Sequence, residues 1–460
     1  MKEYKEYKKS CVEWIEEIPS HWKTTKLSHA FPLIGSGTTP KTMVKEFYEN
    51  GTISWLQTGD LNDGEITETS KMITALAITE CGLKIYPINS LVIAMYGATI
   101  GKLGILMIET SVNQACCVLV PSELVSTKYA FYYFMAAKPD LISKGTGGGQ
   151  PNISQEKIRN YMLLIPPIIE QKAIAEYLDE KCGKIDGMIE QVDKKIALYE
   201  RLRRAIITKV VTKGLNPNTP LRPSGVEWIG EIPKHWEVKR FGYLAWIRAR
   251  LGWKGLRADE YVESGYPFLS AFNIVNDKMN WESLNYINQF RYEESPEIML
   301  HPGDILLVKD GAGIGKCARV DSLPKGESTT NGSLAVITPF ETANYKYIYY
   351  FIISDSFNQY KDILINGMGV PHLTQGEMKK MYLPVPPIKD QEEIAEYLDK
   401  RCQVIEDSIV KYIKQKELLE RYRKALIAQV VTGKRRVCEP SFIYPDTTPI
   451  SPAMAAEENL

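Results

Sequence analysis

SCVEWIEEIPSHWKT (residues 10–24) and SGVEWIGEIPKHWEV (residues 224–238) are nearly the same phrase, written twice and 214 residues apart. They share Val-Glu-Trp-Ile, then Glu-Ile-Pro, then His-Trp in register. Tryptophan is scarce, 8 of 460 residues, and each phrase holds two. Rare residues matched at fixed spacing mark an internal duplication, which decides the architecture before any single element is read.

The match runs outward from there. GATIGK (97–102) matches GAGIGK (311–316), and YAFYYFMAAK (129–138) aligns with YIYYFIISDS (347–356). IPPIIEQKAIAEYLDEKCGKID (165–186) and VPPIKDQEEIAEYLDKRCQVIE (385–406) agree at 12 of 22 positions. LYERLRRAIITKVVTKG (198–214) mirrors LLERYRKALIAQVVTGK (418–434). ISWLQTGDLNDGEI (53–66) resembles YPFLSAFNIVNDKM (266–279) in pattern only. Similarity is strongest where each half opens and closes, and weakest over 28–90 and 242–303. A frame kept while interiors diverge reads as one scaffold presenting two different surfaces.

The closing segments read as helices. Apolar residues recur at alternating steps of three and four through Leu178, Ile185, Ile189, Val192, Ile196, Tyr199 and Ile206. The second copy gives Leu398, Ile405, Ile409, Tyr412, Leu419 and Leu426. This is a heptad seam, interrupted by Arg203, Lys416 and Arg423. A helix that long needs a partner, and the second copy supplies one. The expected fold class is α/β: two tandem α/β domains, each followed by a long helix. The helices are expected to pair as an antiparallel coiled coil with pseudo-two-fold symmetry. The expected boundaries are 1–166 and 215–386 for the domains, 167–214 and 387–434 for the helices, and 435–460 for a loose tail.

Formal net charge is zero, from 56 basic and 56 acidic residues, so bulk attraction to polyanions is not the binding principle. Eight cysteines without a C-x-x-C pair suit neither a zinc site nor a disulfide framework, and predict a cytoplasmic protein. LVIAMYGATIGKLGILMI (91–108) approaches a membrane span in apolarity, but its counterpart DILLVKDGAGIGKCARV (304–320) carries four charges at Lys309, Asp310, Lys316 and Arg319. Two copies of one element share one solvent, so a strand, a glycine turn and a second strand are expected, with no membrane.

No enzyme is legible. A phosphate-binding P-loop needs four residues between its glycines and Ser or Thr after the lysine. Here three residues separate Gly97 from Gly101, and Leu103 or Cys317 follows the lysine. An adenine methyltransferase carries Asp or Asn before Pro-Pro; both Pro-Pro pairs here follow an aliphatic residue. His21 and His235 stand without a ligand cluster, so packing in the frame is expected and no metal.

With these residues in view, the chain resembles the specificity subunit of a type I restriction-modification system from about residue 10 to 434. The resemblance rests on SGVEWIGEIPKHW, the two PP-x3-Q-x2-IAEYLD helix starts at Pro166 and Pro386, VNQA (112–115) and GGGQPNIS (147–154). It departs at MGVPHLT (368–374) and TNGS (330–333), which replace the last two motifs in the second half. The resemblance implies a non-catalytic DNA-binding subunit whose target-recognition domains each read half of a split, asymmetric site in double-stranded DNA. It implies that the helices set the spacer. It further implies two methyltransferase subunits and restriction/translocase subunits as partners, with S-adenosylmethionine, ATP and Mg on those partners and no cofactor in this chain. A bivalent protein-binding scaffold is the competing reading.

Base reading needs Arg or Lys for guanine and Asn or Gln for adenine, presented from loops. In the first half the candidates are Thr38, Thr39, Lys41, Gln57, Thr58, Lys102, Asn113, Gln114, Lys144, Gln150 and Asn152. In the second, WIRARLGWKGLR (246–257) interleaves basic and aromatic residues, giving Arg248, Arg250, Trp253, Lys254 and Arg257. Lys309, Lys316, Asn331 and His372 complete the set. The plainer account of the basic stretch is a solvated loop, or an arginine stacked on tryptophan for stability.

Overall fold

The computed structural model describes residues 3–146, 152–250, 256–311, 313–365 and 372–437. They fall into two compact units: Met1–Gln191 with Gln415–Leu460, and Val192–Lys414.

The opening phrase of the first unit is a socket. Val12, Ile15, Ile18 and Trp22 are buried in the unit's main core, with Trp22 wholly so. An indole ring buries ~200 Å², so at ~25 cal/mol per Å² its upper-bound contribution is about 5 kcal/mol. The strand that follows, Lys23–Lys26, pairs antiparallel with Met162–Ile165, just before Pro166-Pro167. Gly433, beyond the second long helix, closes the socket. Its φ of 76° and its contact with Pro19 and Trp22 leave no room for a Cβ.

The second unit repeats this construction. Ile229, Ile232 and Trp236 are buried, and Glu237–Arg240 pairs antiparallel with Tyr382–Val385. Gly214, at φ 74°, ends the first long helix against Trp236. Each half's phrase therefore receives the end of a long helix, which explains why it is written twice.

The glutamine of each helix-start motif is a staple. Gln171 is buried; its Oε1 accepts from Ser126 N–H (2.9 Å), and its Nε2 donates to Leu124 O (3.0 Å) and Pro166 O (2.9 Å). Gln391 does the same with Asn344 N–H (2.8 Å), Thr342 O (3.4 Å) and Pro386 O (2.9 Å). Each ties the first turn of a long helix to the loop before the aromatic helix, Thr127–Ser143 or Tyr345–Ile352.

In the first unit a five-stranded sheet runs in the order Ile34–Ser36, Cys116–Leu119, Leu91–Ala94, Leu103–Leu106, Gly64–Ile66. Beside it Ile53–Leu56 lies between Ser111–Val112 and Lys71–Ile73. In the second unit the sheet is Ala245–Arg248, Leu334–Pro339, Ile305–Val308, Cys317–Arg319, with Tyr266–Leu269 between Asn285–Ile287 and Thr329–Thr330. The apolar stretch at 91–108 is an antiparallel strand pair around a turn, as its counterpart at 305–319 is. No described helix is long and apolar enough to cross a membrane.

The long helices are Ile168–Lys213 (46 residues) and Ile388–Val431 (44 residues). In the first unit, Leu178, Cys182 and Ile185 share a core with Leu426, Ile427, Val430 and Val431, and Arg423 bonds Asp186 (2.7 Å). In the second, Tyr199 lies against Tyr412 (ring centroids 5.7 Å) and Arg203 reaches Glu406 (3.6 Å), so the segments run antiparallel there. The arginines that interrupt the seam are half-buried and paired across it, Arg423 with Asp186 and Arg203 with Glu406, and Arg203 also bonds Asp277 of the domain (3.0 Å).

Candidate nucleic-acid interface

In the first unit, backbone bonds gather four loops at the ends of the strands. Asn113 N–H donates to Leu56 O (3.0 Å), and Gly37 N–H to Asn113 O (3.4 Å). Met95 N–H donates to Ala115 O (2.8 Å), and Ile153 N–H to Met95 O (2.9 Å). This brings together Thr39, Gln57, Gln114 and Asn152, which sequence alone leaves up to 113 residues apart. Thr39 Oγ1 donates to Gln114 Oε1 (2.6 Å). Thr38, Lys41, Gln114 and Asn152 are exposed; Gln57, Thr58 and Lys102 are half-buried.

The second unit builds the same junction. Asn331 N–H donates to Leu269 O (2.8 Å), Lys309 N–H to Ser333 O (2.9 Å), and Leu373 N–H to Lys309 O (2.9 Å). What stands on it differs. Where Tyr96 bridges Asn152 in the first unit, Asp310 bridges His372 in the second. The Asp310 carboxylate bonds His372 Nδ1 and also Lys309 Nζ (2.5 Å). Asp310 was not among the expected residues; its signal was an acid between a candidate lysine and a turn glycine. Lys316 is exposed on the neighbouring hairpin.

Several expected readers have other work. Arg248 ends a strand and faces the core, with its side chain 5% exposed. It bonds the wholly buried Asp304 (2.9 Å), Met299 O (3.1 Å) and Thr338, and lies over the exposed Trp246 ring (4.6 Å). Burial lowers its pKa and Asp304 opposes that, as in a buried ion pair. Arg250 is also turned inward, its side chain 9% exposed and 3.5 Å from Glu294. Arg257 remains exposed. Gln150, Trp253 and Lys254 lie outside the described residues.

Asn113 and Asn331 are turn builders. Asn113 is buried and its Oδ1 accepts from Ala115 N–H (3.1 Å); Asn331 Oδ1 accepts from Ser333 N–H (3.1 Å) and Ser333 Oγ (2.7 Å). A side-chain oxygen held two residues onward is the Asx turn this residue type favours. Lys144 pairs with Glu13 (2.6 Å) and Asp140 (3.7 Å); the Glu13 hydrogen bond foremost raises its pKa. His21 serves the frame as expected, bonding the buried Glu170 (3.0 Å) beside Trp22 Nε1 (3.1 Å). Among the described residues no group of three or more His, Cys, Asp or Glu is placed to hold a metal ion.

Comparison with known proteins gives the family of the chain. The type I restriction modification DNA specificity domain matches residues 19–196 and again 233–415. The Type I restriction enzyme MjaVIII specificity subunit of Methanocaldococcus jannaschii is 25% identical over 433 residues, 92% of this chain and 95% of that protein. The Type I restriction enzyme EcoKI specificity subunit of Escherichia coli K12 is 21% identical over 390 residues, 82% and 81% of the two chains. A solved structure from work on complex assembly and conformational transition of the type I R-M system shares the fold. It has a TM-score of 0.67 over 91% of this chain and 99% of that one, at 14% identity. The duplicated phrase, the paired helix starts and the two domain matches have one common account: the chain belongs to the type I restriction-modification DNA specificity family, as a specificity subunit and not a catalytic one.

Proposed function

We propose that this chain reads a bipartite, asymmetric site in double-stranded DNA, one half-site per unit. A single observation carries the reading. The loop junction is held by equivalent backbone bonds in both units, while the side chains on it differ: Met95 against Lys309, Gln114 against Gly332, Asn152 against His372. A shared mount with different contacts suits two readers of different base pairs. The long helices, paired as a coiled coil, set the unread spacer; at 1.5 Å per residue, 46 residues extend ~69 Å. Their exposed charged faces, with Glu200, Arg201, Arg204, Glu420, Arg421 and Lys424, dock two methyltransferase subunits, and restriction subunits join that assembly. S-adenosylmethionine, ATP and Mg act on those partners. The assembled complex methylates adenine at N6 and cleaves DNA with ATP.

The test is an adenine-methylation map of DNA from cells carrying this chain and its methyltransferase partner, against cells lacking only this chain. A split, asymmetric motif present only with the chain is expected, and its gap measures the spacer. An active, soluble complex with no chain-dependent motif would overturn the reading in favour of a protein-binding scaffold.

A further inference from the structure

Phe272 is 92% exposed, yet the turn that carries it is firmly held. It is the middle residue of a 3-10 turn, Ala271–Asn273, between buried Leu269 and buried Ile274. Asn273 is buried beneath the turn: its Oδ1 accepts from Ser270 N–H (2.9 Å), and its Nδ2 donates to Ser283 O (2.8 Å). With three residues per turn, fixing Asn273 inward and packing Ala271 against the core leaves Phe272 directed at solvent. This exposure comes from the construction of the turn and not from fraying.

The turn belongs to the loop junction already described. Leu269, the last residue of the preceding strand, accepts the Asn331 N–H at 2.8 Å, and Asn331 leads to Ser333, which accepts from Lys309. The first unit has the same turn. Leu56 accepts the Asn113 N–H, and Asp60 Oδ2 accepts from Gln57 N–H (2.8 Å) as Asn273 does from Ser270. The position equivalent to Phe272 there is Gly59, and a Cβ built on Gly59 meets nothing within 4 Å. Both turns therefore open the same position to solvent. One unit places an aromatic ring there and the other places nothing.

We propose that Phe272 is the second unit's apolar base contact, its ring packing on base pairs of that unit's half-site. The inference rests on the DNA-reading function proposed above. A ring with no charge and no hydrogen-bonding group reads the apolar parts of a duplex, which are the thymine methyl or the face of an unstacked base step. Lys316, exposed on the neighbouring hairpin, supplies attraction to phosphate beside it. The empty position at Gly59 makes this contact one-sided, as an asymmetric site requires.

The test uses the intact complex with its methyltransferase partner and compares wild type, Phe272→Ala and Gly59→Phe. Phe272→Ala is expected to keep the melting temperature and partner assembly. It is expected to lose about ten-fold to a hundred-fold in cognate affinity, with non-cognate affinity and the salt slope unchanged. Deoxyuracil in place of thymine in the second half-site reproduces the loss if the ring meets a methyl. 2-Aminopurine brightens on binding if the ring opens a base step. Gly59→Phe is expected to change preference in the first half-site only. Unchanged cognate affinity in Phe272→Ala, a loss with neither DNA signature, or a loss traced to partner assembly would each overturn the proposal. If the wild-type complex reads no bipartite motif, the parent reading has failed, independently of Phe272.

Discussion

Asp179 and Asp399 stand at matching places on the two long helices. Asp179 accepts from Tyr132 Oη (2.7 Å) and Lys128 Nζ (2.7 Å); Asp399 accepts from Tyr350 Oη (2.7 Å) and Lys346 Nζ (2.8 Å). The loop junctions present the opposite case: their backbone bonds agree, but Tyr96 faces Asn152 in one unit where Asp310 faces His372 in the other. At these helix positions, and at the Gln171 and Gln391 staples, the two halves keep the same kinds of side-chain partner. In the loops they keep only the mount. Where a long helix starts against its domain, both halves use the same side chains; on the loop junction each half has its own.

The sharpest way to break the symmetry is through Arg248, whose buried pair with Asp304 exists in the second unit alone. Arg248→Ala leaves a wholly buried carboxylate without its cation and is expected to cost about 3–5 kcal/mol in denaturant unfolding. Arg248→Met with Asp304→Leu removes both charges and recovers most of that loss. Next come the two staples. Gln171→Ala and Gln391→Ala each strand buried backbone groups and are expected to cost about 2 kcal/mol apiece. Costs that differ by more than about 1 kcal/mol would show that the frame is not built alike in its two copies.

Asp399 sharpens the comparison further, because Arg319 (2.5 Å) joins its cluster and Ile105 stands at the matching place in the first unit. Burial raises the Asp399 pKa, but the hydrogen bonds from Lys346, Arg319 and Tyr350 outweigh it, and the net shift is downward. A depressed carboxylate contributes stability above its unfolded pKa, near 3.8, and that stability is lost as pH falls through the folded value. Asp399→Asn is expected to be the weaker protein at pH 7, with the gap to wild type closing below about pH 4 in acid unfolding. The smallest effect belongs to Lys144→Ala: solvent screens its pair with the exposed Glu13, so denaturant unfolding is expected to shift little and the methylation motif to stay the same.

The frame was legible because its residues are rare and their roles are chemical. Trp22 and Trp236 fill a socket, Gln171 and Gln391 staple a turn, and the glycines end helices where a Cβ does not fit. The helix seam was read from spacing; Ile207, Val211, Ile394 and Ile427, which are buried with it, fall outside a strict heptad because the helix ends also pack on the domains. The candidate site was legible only as a list of residue types. Composition does not tell whether an arginine ends a strand inward, as Arg248 does, or hangs from a loop, as Arg257 does. Asn113 and Asn331 look like adenine readers and are turn builders, because the same amide serves both purposes. Phe272 gave no signal, since an apolar residue is assigned to the core until its turn is seen.

Gly433 seats against Trp22, and Leu426, Ile427, Val430 and Val431 complete the first unit's core. The second unit is one continuous run, Val192–Lys414, whereas the first needs residues from 415 onward. On the ribosome, the earlier-made of the two units is therefore the later to finish folding. At ~5–20 residues per second it waits tens of seconds after residue 191 for its final helix turns. Throughout that wait Trp22 and its apolar neighbours lack their cover, so the N-terminal half is the one most in need of a chaperone.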